Sequence, residues 1–302
     1  MKAIVLHEYG GPGKLKFEDV PDPKPGEGEV LVRLAATSVN PVDFKLRSGA
    51  LQSYMPLDLP AILGRDIAGV VREVGPGVTG FAEGDRVMAL GDKAYAELVL
   101  VKASDLAFAP PRLGLVEAAA LPLVTLTGEQ LISRGTKIQA GQTVLVAGAV
   151  GGVGRAAVMT AKKAGAIVIA GVRKAQLEAA KELKAHEVLA LDDEQQMDRL
   201  GFIDAVADTV GHETAEHLIA KVRQGGIFAS VLGPPANARL HPTIRIESVR
   251  VVPDAAMLRT LADAVVAKRL KIPIDRMVPL SDAAEAQAAA EKGGLGKVLL
   301  LA

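Results

Sequence analysis

The sequence predicts an α/β-plus-β chain: a strand-rich head, then a doubly wound parallel sheet with crossover helices, then a short mixed tail. Three observations carry this. The 302 residues exceed the ~100–200 of one ordinary core, so about two domains are expected. Up to about residue 118 short apolar runs are broken by Gly and Pro turns, as in an antiparallel barrel or sandwich. From about residue 119 continuous apolar runs alternate with helical stretches, the pattern of a parallel sheet with right-handed crossovers.

In the head, residues 1–6, 29–36, 69–74, 85–90 and 95–101 read as strands. Residues 21–28 (PDPKPGEG) read as a surface loop, because prolines remove the donors a ladder needs. In the second part, 143–147 (TVLVA), 166–170, 187–191, 205–208, 226–231 and 249–252 are six strands, with helices at 153–164 and 174–183 among the connections. The tail reads as a helix at 257–268, a strand at 274–279, a helix at 281–291 and a strand at 297–301.

Composition removes several function classes. Lys plus Arg and Asp plus Glu are 35 each, so no net charge draws the chain to nucleic acid or anionic membrane. There is no cysteine, which excludes disulfides, thiol nucleophiles, iron–sulfur clusters and Cys-ligated zinc. Aromatic residues are 3% with no Trp, a poor basis for stacking on bases. No segment approaches the ~20 apolar residues of a membrane span, and the start lacks a signal-peptide pattern, so the expected compartment is the cytoplasm. The sequence shows no G-x-S-x-G elbow and no P-loop Lys-Ser/Thr. His212 and His217 are five apart rather than four; on a helix they diverge by about 140° and are expected at the surface rather than on a metal.

The segment with chemistry is Gly148-Ala149-Val150-Gly151-Gly152-Val153-Gly154, between a buried strand and a helix. It reads A-x-G-x-x-G from Ala149, close to the dinucleotide fingerprint. Gly151 lets backbone approach a pyrophosphate, Gly154 allows close helix–strand packing, and the helix N-terminus with Gly152 and Val153 offers free N–H groups. An NAD site needs a carboxylate ~20 residues on. Gly171 stands 22 residues after Ala149, followed by Val172, Arg173 and Lys174. A small residue and two cations suit a 2′-phosphate, so the expected cofactor is NADPH.

Several stretches resemble the medium-chain dehydrogenase/reductase superfamily, and within it the zinc-free quinone oxidoreductases related to zeta-crystallin. They are Ser38-Val39-Asn40-Pro41-Val42-Asp43, Gly64-Arg65-Asp66-Ile67-Ala68-Gly69, Gly75-Pro76-Gly77-Val78, Gly84-Asp85-Arg86-Val87 and Ala119-Ala120-Leu121-Pro122. Leu126-Thr127-Gly128, the glycine loop, Asp208-Thr209-Val210-Gly211 and Gly296-Lys297-Val298 follow in the same order. The resemblance implies a chaperonin-10-like (GroES-like) β-barrel catalytic domain over 1–118, a Rossmann NADP-binding domain over 119–253 and a return to the first domain over 254–302. It implies an active site in a cleft between domains. It also implies a homodimer formed by pairing of sheet edges, along 226–231 or 249–252.

In zinc-dependent members the places of Asn40, Arg65 and Leu123 hold the catalytic ligands. None of the three is a good zinc ligand, so no metal is expected. The resemblance implies roles for further residues. Asn40 would donate its amide near the nicotinamide or the substrate oxygen. Asp43 is a neighbouring acid or else a turn cap. Lys45, with Arg47, would supply charge at strand or turn spacing, although the family often has tyrosine at position 45. Tyr54 would donate a proton, or else pack on Met55 or Leu57. Thr127 would lie beside the nicotinamide. Arg65 and Asp66 would pair. Backbone at Val210 and Gly211 would line the adenosine side, and at Leu232 and Gly233 the nicotinamide side.

The expected activity is hydride transfer from NADPH to a quinone without zinc. A conjugated acceptor spreads the developing charge and needs little Lewis-acid help. Reduction of the double bond of α,β-unsaturated carbonyls is the alternative of the same class. An NADPH-binding sensor or structural protein with little catalysis is the alternative of another class.

Overall fold

The apolar run TVLVA forms the strand Thr143–Ala147 at the centre of a parallel sheet, buried on both faces. Alternate side chains serve two cores: Val144 and Val146 with Val168, Ala170, Ala205 and Ala207 on one side, Leu145 and Ala147 with Ile169, Val206 and Phe228 on the other. Among the described residues this sheet has six strands in the order Glu187–Ala190, Ile167–Val172, Thr143–Ala147, Ile203–Asp208, Val222–Ser230, Arg245–Ser248, all parallel. The order reverses beside Thr143–Ala147. In doubly wound sheets ligands bind beyond the strand ends at such a point.

This computed structural model describes residues 1–294 and 296–302. They divide into one unit of 1–123, 252–268 and 272–302, and another of 124–251 and 269–271. The first boundary falls later than the expected 118/119, because the helix Leu115–Ala118 packs on the head strands and the Leu123 N–H donates to Asp66.

In the first unit the long strand Glu29–Ser38 is the hub of a largely antiparallel sheet. One edge pairs with Asp66–Val74, which pairs on with Arg86–Leu90 and then Leu106–Phe108. The other edge is shared between Leu98–Lys102 and the C-terminal Lys297–Leu301, itself parallel to Ile274–Pro279. A separate small sheet joins Leu15–Asp19, Lys2–Leu6 and Ala61–Ile62.

Four expectations about these elements change. The sixth strand is Arg245–Ser248 and not 249–252. It is an edge strand with a half-exposed sequence, RIES, so it lacks the apolar signature; the apolar 249–252 follows it, with only the Val249 N–H still bound to Ser230 C=O (2.9 Å). Likewise 226–231 is no sheet edge, since Val222–Ser230 is paired on both sides. The unexpected helix Pro41–Ser48 puts Lys45 and Arg47 at helical rather than strand spacing. The stretch 174–183 holds only the short α-helix Leu177–Ala180 between two 3₁₀ turns.

The helical run Leu115–Thr136 is long and apolar enough to cross a membrane by length and composition, contrary to expectation. However, 72% of its apolar window is buried inside the protein, as in a core helix.

Candidate functional site

The second unit carries a phosphate-binding turn. Gly148 adopts φ +74°, and its C=O accepts the Gly151 N–H at 3.0 Å. Gly151 caps the helix Gly152–Lys163, whose first intrahelical bond runs from Arg155 N–H to Gly151 C=O (2.9 Å). The N–H groups of Gly152, Val153 and Gly154 therefore precede the ladder and are available to an anion. A Cβ on Gly154 would overlap the Gly148 carbonyl oxygen, so Gly154 lets the helix close onto the turn itself. Ala149 is wholly buried beneath. Gly148, which the fingerprint match begun at Ala149 passed over, is the residue whose backbone only glycine adopts without strain. Arg155 is buried and held within the protein, with Nε donating to Val150 C=O (2.9 Å) and Nη1 3.6 Å from the Glu182 carboxylate.

At the end of the next strand Arg173 and Lys174 are exposed. The Lys174 ammonium lies 3.5 Å from Asp193, while the Asp192 carboxylate accepts the Lys174 backbone N–H (2.6 Å). No carboxylate ends the strand itself, but the following loop brings two alongside. Val210 and Leu232 are part-exposed, and Gly211 (φ +74°) and Gly233 (φ +96°) follow them in the turns beyond their strands. Thr127, on the helix Pro122–Gln130, is 6% exposed, and its hydroxyl is buried without a hydrogen-bond partner. The next residue, Gly128, lies so close to the glycine turn that an added Cβ would overlap the Val153 carbonyl oxygen, and an orphaned buried hydroxyl on that helix fits a site completed by a ligand. The second unit thus fits a dinucleotide.

The first unit holds a buried polar cluster. Asp66 is wholly buried, and its Oδ1 accepts the Leu123 N–H (2.6 Å). Its Oδ2 accepts the Ser38 hydroxyl, the Asn40 amide Nδ2 (2.7 Å) and the Lys297 ammonium (3.3 Å). Lys297 also donates to Asn40 Oδ1 (2.7 Å) and Val39 C=O (3.3 Å). Beside this lies Asp43, whose Oδ2 accepts the Asn40 N–H (2.8 Å) and the Tyr95 hydroxyl (3.0 Å), while Oδ1 is buried without a partner. Burial pushes the Asp43 carboxyl up to about 7, with the Asp66 charge adding and the Asn40 N–H, Tyr95 and Lys297 opposing. Burial likewise raises the Tyr95 hydroxyl well above its ordinary range. Gln287 donates to the Tyr95 oxygen (3.4 Å) and accepts from Arg47 (2.8 Å), which also binds Glu291 (3.0 Å) and Gly10 C=O (3.1 Å).

Residues 26–111 match the alcohol dehydrogenase GroES-like domain family, and residues 183–300 the zinc-binding dehydrogenase family. The chloroplast envelope quinone oxidoreductase homolog of Arabidopsis thaliana is 39% identical over 199 residues, 63% of this chain. The match spans 60% of the length of that protein and of two other chloroplast quinone oxidoreductase relatives. The 2-methylene-furan-3-one reductase of Solanum lycopersicum is 33% identical over 296 residues, 93% of this chain and 73% of that protein. A mycobacterial protein solved in complex with NADPH superposes with a TM-score of 0.87 at 30% identity, covering 100% of both chains. A quinone oxidoreductase of Mus musculus is 32% identical over 75% of this chain and 71% of that protein, and the chain belongs to the quinone oxidoreductase group of the medium-chain dehydrogenases/reductases.

Against that family, several expected roles are corrected. Both ends of the Asn40 amide are engaged within the protein and the residue is 1% exposed, so it has no free donor for a substrate. Of the two readings of Asp43 the structure shows the cap: wholly buried, it accepts the Asn40 N–H at the start of the helix Pro41–Ser48. Arg47 is buried and its guanidinium fully engaged, so it supplies no charge to an oxyanion; Lys45 is half-buried on the same helix. Arg65 does not pair with Asp66: its Nε donates to Gly91 C=O (2.7 Å) and lies 3.2 Å from Asp92, while Asp66 is committed to Lys297. Tyr54 is 83% exposed, which leaves no room for the alternative of packing on Met55 or Leu57.

At the three places that the resemblance assigns to zinc ligands, then, stand an amide turned inward, an ion-paired guanidinium and a leucine. This donor set does not fit a zinc ion. Sequence reasoning missed the partners of Lys297, Tyr95 and Gln287. The motif Gly296-Lys297-Val298 was the available signal, but a lysine's partner 231 residues away has no local signature.

Proposed function

We propose that the protein is an NADPH-dependent oxidoreductase that reduces quinones without zinc. The observation that carries the cofactor choice is the pair Arg173–Lys174 at the end of a strand that closes on Gly171 and Val172 without a carboxylate. The NADPH of the mycobacterial neighbour supports it. In this reading the first-turn N–H groups of Gly152, Val153 and Gly154 hold the pyrophosphate, and Arg173 forms the bidentate contact to the 2′-phosphate. Lys174 is the weaker partner, because Asp193 already claims part of its charge. Thr127 donates its hydroxyl to the nicotinamide carboxamide. Bound NADPH supplies a hydride. Tyr54 Oη, exposed in its loop, is the proton donor.

Zinc independence rests on the donor set and on the conjugated acceptor, whose charge is delocalised as it forms. The relative from Arabidopsis thaliana supports a quinone. The reductase from Solanum lycopersicum, matched over nearly the whole chain, favours a second reading: reduction of the double bond of an α,β-unsaturated carbonyl. A homodimer joined along Arg245–Ser248, the strand that ends the parallel sheet, completes the proposal.

The test is a fluorescence titration with NADPH and with NADH. A preference for NADPH of about tenfold or more, about 1.4 kcal/mol, that collapses in Arg173→Ala is expected. Equal affinity for both cofactors would refute the 2′-phosphate assignment. Turnover with a benzoquinone against a conjugated enone then separates the two acceptor readings.

A further inference from the structure

Three neighbouring strands of the parallel sheet, Thr143–Ala147, Ile203–Asp208 and Val222–Ser230, end side by side, and each leads into one of the turns described above. Their side chains bind the turns to one another. The Thr209 hydroxyl donates to Ala147 C=O (2.7 Å), and a Cβ on the adjacent Gly148 would overlap that hydroxyl. Asp208 is wholly buried. Its Oδ1 accepts the N–H groups of Val210 and Gly211, both at 2.9 Å. Its Oδ2 accepts the Ser230 hydroxyl (2.7 Å), and Ser230 Oγ accepts the Leu232 N–H (3.0 Å). Hydrogen bonds, with the peptide link between Asp208 and Thr209, therefore connect the strand end at the phosphate turn through Thr209, Asp208 and Ser230 to Leu232.

A buried carboxylate is a costly way to satisfy two turn N–H groups that an amide oxygen could serve. Among the described residues Asp208 has no cationic partner. What a carboxylate adds is a second strong acceptor aimed across to Ser230, 22 residues on. The backbone it fixes is also strained: His212, next after Gly211, takes φ +52°, a conformation a non-glycine residue holds only when its surroundings impose it. A rigid tie of this kind, at the strand ends where the sheet order reverses, lies where a ligand would bind.

We infer that Asp208 and Ser230 are positioning residues that set the turns at Val210–Gly211 and Leu232–Gly233 as one piece, so that the two ends of a bound dinucleotide are gripped together. This rests on the dinucleotide reading above. Neither side chain touches the cofactor; both act through backbone they hold.

The test compares wild type, Ser230→Ala and Ser230→Thr, titrated with NADPH and with the adenylate fragment 2′,5′-ADP, alongside thermal melting. Ser230→Ala is expected to weaken NADPH at least fivefold and to change the emission of the bound nicotinamide, while the affinity for 2′,5′-ADP stays within twofold. Ser230→Thr, which keeps the hydroxyl, restores NADPH binding. If Ser230→Ala does not fold, Asp208→Asn reads the same link. It keeps an oxygen for Val210 and Gly211 but turns a donor towards Ser230, and the same selective loss is expected. Equal weakening of both probes, or none, overturns the coupling. Wild type that binds neither NADPH nor NADH overturns the dinucleotide reading itself, and the coupling with it.

Discussion

Replacing Asp43 with asparagine removes a carboxyl, in the buried cluster of the first unit, that the fold holds far above its ordinary pKa. The group lies wholly inside the protein, with one oxygen bonded to the Asn40 N–H and Tyr95 and the other unpartnered. Raising its pKa from 3.8 to about 7 corresponds to about 4 kcal/mol between the charged and neutral forms. Because the folded pKa is the higher, the folded state holds this proton more tightly than the unfolded chain. The stabilisation is therefore complete below about pH 4, declines as pH rises, and is gone above about pH 7. From about pH 5 to about pH 8 the wild type should lose about 3 kcal/mol through this group, and Asp43→Asn none. Urea unfolding followed by far-UV circular dichroism at both pH values measures it, as the difference between wild type and variant. Equal losses in wild type and variant would refute the reasoning. They would mean that the unpartnered oxygen is solvated by buried water and the carboxyl ionises normally.

Lys297→Met should cost about 3–5 kcal/mol in the same assay, because it strands the buried Asp66 carboxylate without its cation. A loss under about 1 kcal/mol would show that the Ser38, Asn40 and Leu123 donors suffice. Gly154→Ala should abolish NADPH binding in the fluorescence titration and destabilise the turn by about 1–3 kcal/mol, since the added methyl meets backbone at Gly148 rather than a side chain that could swing away. Unchanged binding would show that the turn relaxes freely.

Much of this molecule is written in consecutive residues. The run TVLVA followed by Gly148–Gly154 sets a buried strand, a tight turn and a helix start, because apolar burial, positive φ and free N–H groups are properties of neighbouring positions. The same locality made the Rossmann sheet, the absence of thiol chemistry and the Arg173–Lys174 pair readable. Local pattern misled where exposure and ordering depended on distant contacts. The edge strand Arg245–Ser248 carries polar residues since half of it faces solvent, so the apolar 249–252 mimicked it. The helix Pro41–Ser48 is capped by Asp43, yet it is the ties of the buried Arg47 to Gln287 and Glu291, 240 and 244 residues on, that anchor it. Only the tertiary structure turned the Asn40 amide inward, gave Asp66 to Lys297 instead of Arg65, and joined Asp208 to Ser230. Sequence encodes what steric and backbone rules dictate over a few residues. A buried charge or amide takes its partner from whichever strand the fold sets beside it, and that choice is made only when the chain is packed.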